Sequence, residues 1–231
     1  MTVSTVLFDG DDTLWDFGTA MRRALAVTLD ELWARRPGPW SASLTVERLI
    51  AIRDRVAGEL AGRVIDLGMV RLAAFERALE EAGIPEPALA SDLTASFFSH
   101  LNRHLGLFED TVPCLDALAH LELGVVTNGT AHPDQFGIGD RFGAVVRSSE
   151  VGASKPDPAM VYEALRRLDA LPGATVLVGD SPAHDVGAAR AAGVIPILLD
   201  RRGEMAAASD VVAIRSLGEL PGILERNGGR H

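Results

Sequence analysis

Val3-Ser4-Thr5-Val6-Leu7-Phe8 runs directly into Asp9-Gly10-Asp11-Asp12-Thr13. A short apolar run that stops at an acidic cluster reads as a buried strand with its carboxyl end at the carboxylates. Similar runs occur at residues 124–127, 144–146, 175–179 and 194–199, with a weaker sixth at 210–214. Helical stretches lie between several of them. Strands alternating with helices imply an α/β fold: a Rossmann-like parallel sheet with helices on both faces.

Residues 16–107 break that pattern, because they hold no convincing strand. Amphipathic stretches at 19–33, 45–60, 67–82 and 88–105 predict helices, and the Pro/Gly segments at 35–39 and 83–87 separate them. The expected organisation is a catalytic core of residues 1–15 and 108–231, with an all-α helical-bundle cap inserted at 16–107. Within the core, Asp157 and Pro158 predict one helix start. Ser181 and Pro182 predict another, which Gly193 ends. The tail, 227–231, is expected to be mobile.

Composition narrows the function. The chain has 231 residues, 47% hydrophobic and 23% charged, which excludes disorder on the scale of a domain. The formal net charge of −10 disfavours nucleic acid as a partner, yet permits a local cationic pocket for a small anion. Cys114 is the single cysteine, so no intrachain disulfide forms, and it reads as a buried thiol. Residues 1–8 lack a signal-peptide pattern, and no apolar stretch approaches the roughly 20 residues of a membrane span. A cytoplasmic protein with no membrane partner is expected.

Three carboxylates in four residues at a strand end repel one another, and a divalent cation would relieve the repulsion. An isolated acidic triplet is more often a solvated turn, so this cluster needs company. It is not a calcium loop: counted from Asp9, the sixth position is Leu14 and the twelfth Ala20. Thr127-Asn128-Gly129 ends a second strand and offers a hydroxyl and backbone amides to a phosphate oxygen, although alone it is an ordinary Asn-Gly turn. Lys155 is the only lysine beside 21 arginines. A compact ammonium does what a guanidinium fork does not in a small space shared by a carboxylate and a phosphoryl oxygen. Asp180 ends another strand and completes a set suited to magnesium, which takes few carboxylates, waters and substrate oxygens. Asp185, one turn into the next helix, supports the site from behind or simply favours the helix N-terminus.

His100 and His104 have metal-ligand spacing but lack the glutamate of a zinc protease motif, and read as a helix-surface pair. The glycines of 137–143 precede a strand and so do not form a dinucleotide loop.

Phe8-Asp9-Gly10-Asp11-Asp12-Thr13-Leu14, Val126-Thr127-Asn128-Gly129, Lys155-Pro156-Asp157-Pro158 and Gly179-Asp180-Ser181 with Asp185 together resemble, in order, the motifs of the haloacid dehalogenase superfamily of phosphohydrolases. The resemblance implies that Asp9 is the nucleophile and Asp11 the acid and base. It implies a Mg2+ cofactor held by the Asp9 carboxylate, the Asp11 backbone carbonyl and Asp180. Thr127 and Lys155 would bind the phosphoryl group, with Asn128 and Gly129 beside them. The expected substrate is a small phosphorylated metabolite. A sugar phosphomutase shares the motifs, a dehalogenase lacks the second aspartate, and an idle phosphate-binding module would keep the pocket without turnover. Gly10 is unusually small and is expected to loosen the nucleophile. Asp12 replaces the commoner glycine, Pro113-Cys114 stands where Pro-Gly is usual, and 130–142 is shorter than the family's helix. Trp15, Phe17, Arg22, Arg53 and Arg71 are as readily structural as substrate-facing.

Overall fold

The computed structural model describes residues 2–60, 66–205 and 210–228. Residues 229–231, most of the tail expected to be mobile, lie outside them. The chain forms two compact units, Met1–Asp16 with Leu107–His231, and Phe17–Gly106.

The first unit is built on six parallel strands: β1 (Thr5–Phe8), β2 (Glu122–Thr127), β3 (Ala144–Arg147), β4 (Thr175–Gly179), β5 (Ile195–Leu199) and β6 (Val212–Ile214). Their order is β3-β2-β1-β4-β5-β6. The chain winds one way from β1 through β2 to β3, then returns to β4 and winds the other way. The order therefore reverses between β1 and β4, where α/β sheets open a crevice at their carboxyl edge. Register places Phe8 opposite both Val125 and Val178, so the residues after β1, β2 and β4 emerge side by side.

Every residue of β1 is buried, as a central strand covered on both faces requires. Leu7, Val126, Val146 and Leu177 pack against Met160, Val161, Ala164 and Leu165 of α6 (Ala159–Arg167) and against Ala188 and Ala189 of α7 (Gly187–Ala192). Each fully buried Val or Leu contributes roughly 1.5–3 kcal/mol. The sequence gives no periodic signal for α5 (Thr111–Ala117): it is seven residues long and carries a proline. It is tied down through its ends. Thr111 Oγ1 donates to Leu14 O (2.7 Å), and Asp110 accepts from Arg201, from Ser216 Oγ and from Leu217 N. Cys114 on this helix is buried, and burial, then the Asp110 carboxylate, push its thiol up to about 12. The helix expected to begin at Pro158 behind an Asp157 cap begins one residue later, at Ala159, and Asp157 N donates to Ser154 O in the turn before it. The Asp157 carboxylate still accepts the Ala159 N–H (2.9 Å).

Among the described residues the second unit is all-helical: α1 (Phe17–Arg35), α2 (Val46–Leu60), α3 (Leu67–Glu81) and α4 (Pro87–His104), with a short turn at Pro39–Ala42. Their apolar stripes share one core, which includes Leu25, Ile52, Phe75 and Phe97. The two histidines of α4 are not a surface pair. His100 shares the buried face of Leu93, Phe97 and Leu101, and its Nε2 lies 2.8 Å from Glu31 Oε1 on α1, while His104 is exposed. Arg71 is buried with its guanidinium over the Phe97 ring, 4.2 Å from the centroid. No helix among the described residues is long and apolar enough to cross a membrane.

Candidate active site

The site begins where β1 ends. Asp9 N donates to Val178 O (2.8 Å), which holds the nucleophile candidate against β4. The following residues wind into a tight loop: Leu14 N donates to Gly10 O (2.8 Å) and Asp12 N to Trp15 O (2.8 Å). The winding puts Asp12 at φ 59°, in the left-handed region that glycine occupies freely and aspartate tolerates. The glycine expected there from the resemblance would take this conformation without strain.

Gly10 does not loosen the loop. A Cβ at Gly10 would lie 2.3 Å from Cζ2 and 2.7 Å from Cη2 of Trp15, so the indole fills the space that a side chain would take. Trp15 is fully buried and stacks on Phe136, with centroids 5.0 Å apart and planes at 24°. Its Nε1 donates to Asp11 Oδ1 (2.6 Å). Asp11 Oδ2 lies over Gly129, where a Cβ would approach it to 2.4 Å.

At the end of β2, Thr127 is buried and its Oγ1 accepts from Gly129 N (2.9 Å). Asn128 clips the neighbouring loop: Lys155 N donates to Asn128 Oδ1 (2.8 Å), and Asn128 Nδ2 donates to Lys155 O (3.2 Å). This places the Lys155 side chain. It is 3% exposed, and its ammonium donates to Asp9 Oδ1 (2.5 Å), Asp185 Oδ1 (2.6 Å) and Val126 O (2.7 Å). All three protons are committed. Burial alone would lower the lysine's pKa, but Asp9 and Asp185 outweigh it and hold it above the ordinary value.

Past β4, Ser181 caps a wide π-type turn in which Asp185 N and Val186 N both donate to Ser181 O (2.9 and 3.3 Å). The turn swings Asp185 inward, where Oδ2 accepts from Ser181 N (2.9 Å). Gly179 permits this approach, since a Cβ there would lie 2.2 Å from Asp185 Cγ. Asp185 therefore touches the ammonium directly. It is not merely a charge near a helix end.

Oxygens of Asp9, Asp180 and Asp185 lie within 4.8 Å of one another. Burial, opposed by Lys155 and reinforced by Asp185 and Asp11, raises Asp9 well above 3.8. Burial, then Asp185 and Asp12, raise Asp180 to about 7. One ammonium does not neutralise this group. An all-oxygen donor set with surplus negative charge fits a hard divalent cation such as magnesium.

Asp9, Asp11, Thr127, Asn128, Gly129, Lys155, Asp180 and Asp185 thus meet along one sheet edge. Sequence reasoning missed the parts played by Gly179 and Trp15. The signal for Trp15 was the missing side chain at Gly10, which reads as looseness until the indole is seen in its place. The 130–142 segment forms two short 3₁₀ turns, Pro133–Phe136 and Gly139–Arg141. The first is capped by His132 and presents Phe136 to Trp15.

Comparison with known proteins agrees with this geometry. The haloacid dehalogenase-like hydrolase family matches residues 3–193. A glyceraldehyde 3-phosphate phosphatase of Methanopyrus kandleri is 30% identical, over 87% of this chain and 85% of its own. A phosphoserine phosphatase of Thermus thermophilus is 32% identical, over 71% and 68%. The crystal structure of a 2-haloacid dehalogenase from Pseudomonas syringae is 33% identical, covers 97% of this chain and 99% of its own, and superposes with a TM-score of 0.75. With the family matched over residues 3–193 and a relative 30% identical over 85% of its own length, this chain belongs to the haloacid dehalogenase-like hydrolases.

Proposed function

We propose that this protein is a magnesium-dependent phosphatase that hydrolyses a small phosphomonoester through an aspartyl-phosphate on Asp9. The observation that carries the reading is the Lys155 ammonium, buried and shared between Asp9 and Asp185 beside Thr127. A positive charge fixed against a nucleophilic carboxylate suits phosphoryl transfer, which depends on in-line placement and charge neutralisation.

Magnesium, held by the Asp9 and Asp180 carboxylates and the Asp11 carbonyl with Asp185 beside them, would neutralise charge on the phosphoryl oxygens. The chain does the rest. Lys155 fixes one Asp9 oxygen at 2.5 Å, and Thr13 Oγ1 lies 3.4 Å from the other. The Thr127 hydroxyl, whose oxygen accepts from Gly129 N and whose proton remains to donate, receives a phosphoryl oxygen with Asn128 and Gly129 beside it, and Lys155 balances the charge. An Asp9 oxygen bonds to phosphorus as the bond to the ester oxygen breaks, and the Asp11 carboxyl proton passes to that oxygen, so a neutral alcohol leaves. Asp11, now a carboxylate, takes a proton from water. The water oxygen bonds to phosphorus and the Asp9–phosphorus bond breaks, releasing phosphate.

The phosphatase relatives support this reading, and the helical unit then serves as the cap that selects the substrate. The substrate class, a small phosphorylated metabolite, points to work in the cytoplasm. The likeness to a 2-haloacid dehalogenase raises the rival reading. Asp11 argues against it, since that chemistry dispenses with the second aspartate. The test is phosphate release from p-nitrophenyl phosphate with and without magnesium. We expect metal-dependent turnover that Asp9→Asn abolishes with the fold intact. Halide release from a 2-haloacid without phosphatase activity would overturn the reading. A bisphosphate requirement would favour a phosphomutase, and no turnover at all a binding module.

A further inference from the structure

We propose that Trp15 is a positioning residue for Asp11, and that Gly10 and Phe136 exist in this chain to hold its indole. The inference rests on the phosphatase reading above and deepens it. An aspartate on a surface loop turns freely about its terminal torsion. Here the indole N–H pins Oδ1 at 2.6 Å, which leaves Oδ2 over Gly129 at the end of β2, where Thr127 also stands.

The indole is itself held on two sides: it fills the space left by Gly10 and it stacks on Phe136, while the backbone of Trp15 is tied separately, its O accepting from Asp12 N. Two of the departures from the family pattern, Gly10 and the 130–142 segment, thus meet at one ring. Glycine behind the nucleophile admits the ring. The shortened 130–142 segment, folded as a 3₁₀ turn, carries Phe136 to the ring's face. Tryptophan, a donor with no acceptor, holds a carboxylate that must present its other oxygen to the leaving group.

Misplacing a catalytic group by an ångström costs up to about 10²-fold, and general acid catalysis contributes about 10²–10⁴-fold. The second displacement needs Asp11 as base whatever the ester, but in the first, which kcat/KM reads, the cost falls only where the leaving group needs a proton. p-Nitrophenolate departs without one, whereas an alkoxide does not. In Trp15→Phe, which keeps an aromatic ring and removes the N–H, we expect kcat/KM for glycerol phosphate to fall by about 10-fold or more. For p-nitrophenyl phosphate we expect kcat/KM to fall by under about 3-fold, while kcat, which includes the second displacement, falls for both esters. Phe136→Leu, which leaves the donor in place but frees the ring, should show a smaller split of the same sign. It also serves if Trp15→Phe fails to fold. Equal losses of kcat/KM on both esters in the variant that folds, or no loss on either, would overturn the positioning role. Wild-type protein that cleaves neither ester would overturn the phosphatase reading itself, and the positioning role with it.

Discussion

Replacing Asp180 by asparagine is expected to make the cation-free protein more stable while ruining its site. In the folded chain the Asp180 carboxyl is raised from 3.8 to about 7, by burial first and then by Asp185 and Asp12. A carboxyl that holds its proton more tightly when folded favours the folded state fully below pH 3.8. That advantage is lost as pH climbs from 3.8 to about 7. The span of roughly 3 pH units, at about 1.4 kcal/mol each, gives about 4 kcal/mol of penalty at pH 8. Asp180 is only half-buried, so solvent screening reduces the expected gain for Asp180→Asn to about 2 kcal/mol. The assay is urea unfolding at pH 8 and at pH 4, in EDTA and in excess magnesium. In EDTA at pH 8 the variant should unfold at higher urea than wild type, and the gap should narrow at pH 4. Magnesium should then stabilise the wild type, by about 2.7 kcal/mol at a hundred times its dissociation constant, and the variant far less. An asparagine variant no more stable than wild type in EDTA at pH 8 would refute the argument that these carboxylates strain against one another.

Lys155→Met should do the opposite, because it leaves Asp9 and Asp185 buried without their counter-charge. We expect a loss of about 3–5 kcal/mol in urea unfolding at pH 8, shrinking in acid as the carboxylates protonate. A loss below 1 kcal/mol would contradict the buried placement. Gly129→Ala puts a methyl group 2.4 Å from Asp11 Oδ2, so the carboxylate must move. Turnover should fall by about 10²-fold. Circular dichroism should stay unchanged, and unimpaired kinetics would show that Asp11 does not lie over this glycine.

The sequence by itself determined the strands and where each ends. Apolar runs halted by Asp9, Thr127 and Asp180 are local patterns, and a strand's burial is written in its own residues. It also marked Lys155, because a lone lysine among arginines signals a need for a small ammonium. It did not determine who touches whom. Asp9 and Lys155 stand 146 positions apart, and only the placement of β1 between β2 and β4 brings them to 2.5 Å. α5 is too short for its period to show and is held by partners far along the chain, Leu14 and Ser216 among them. His100 is polar by composition and becomes core through the rotation of α4 against Glu31. Gly10 reads as a gap until the fold places Trp15 in it. Propensity and hydrophobic period act over a few residues, so they are legible in order along the chain. Contacts between distant segments are chosen by packing in three dimensions, and that choice belongs to the tertiary structure alone.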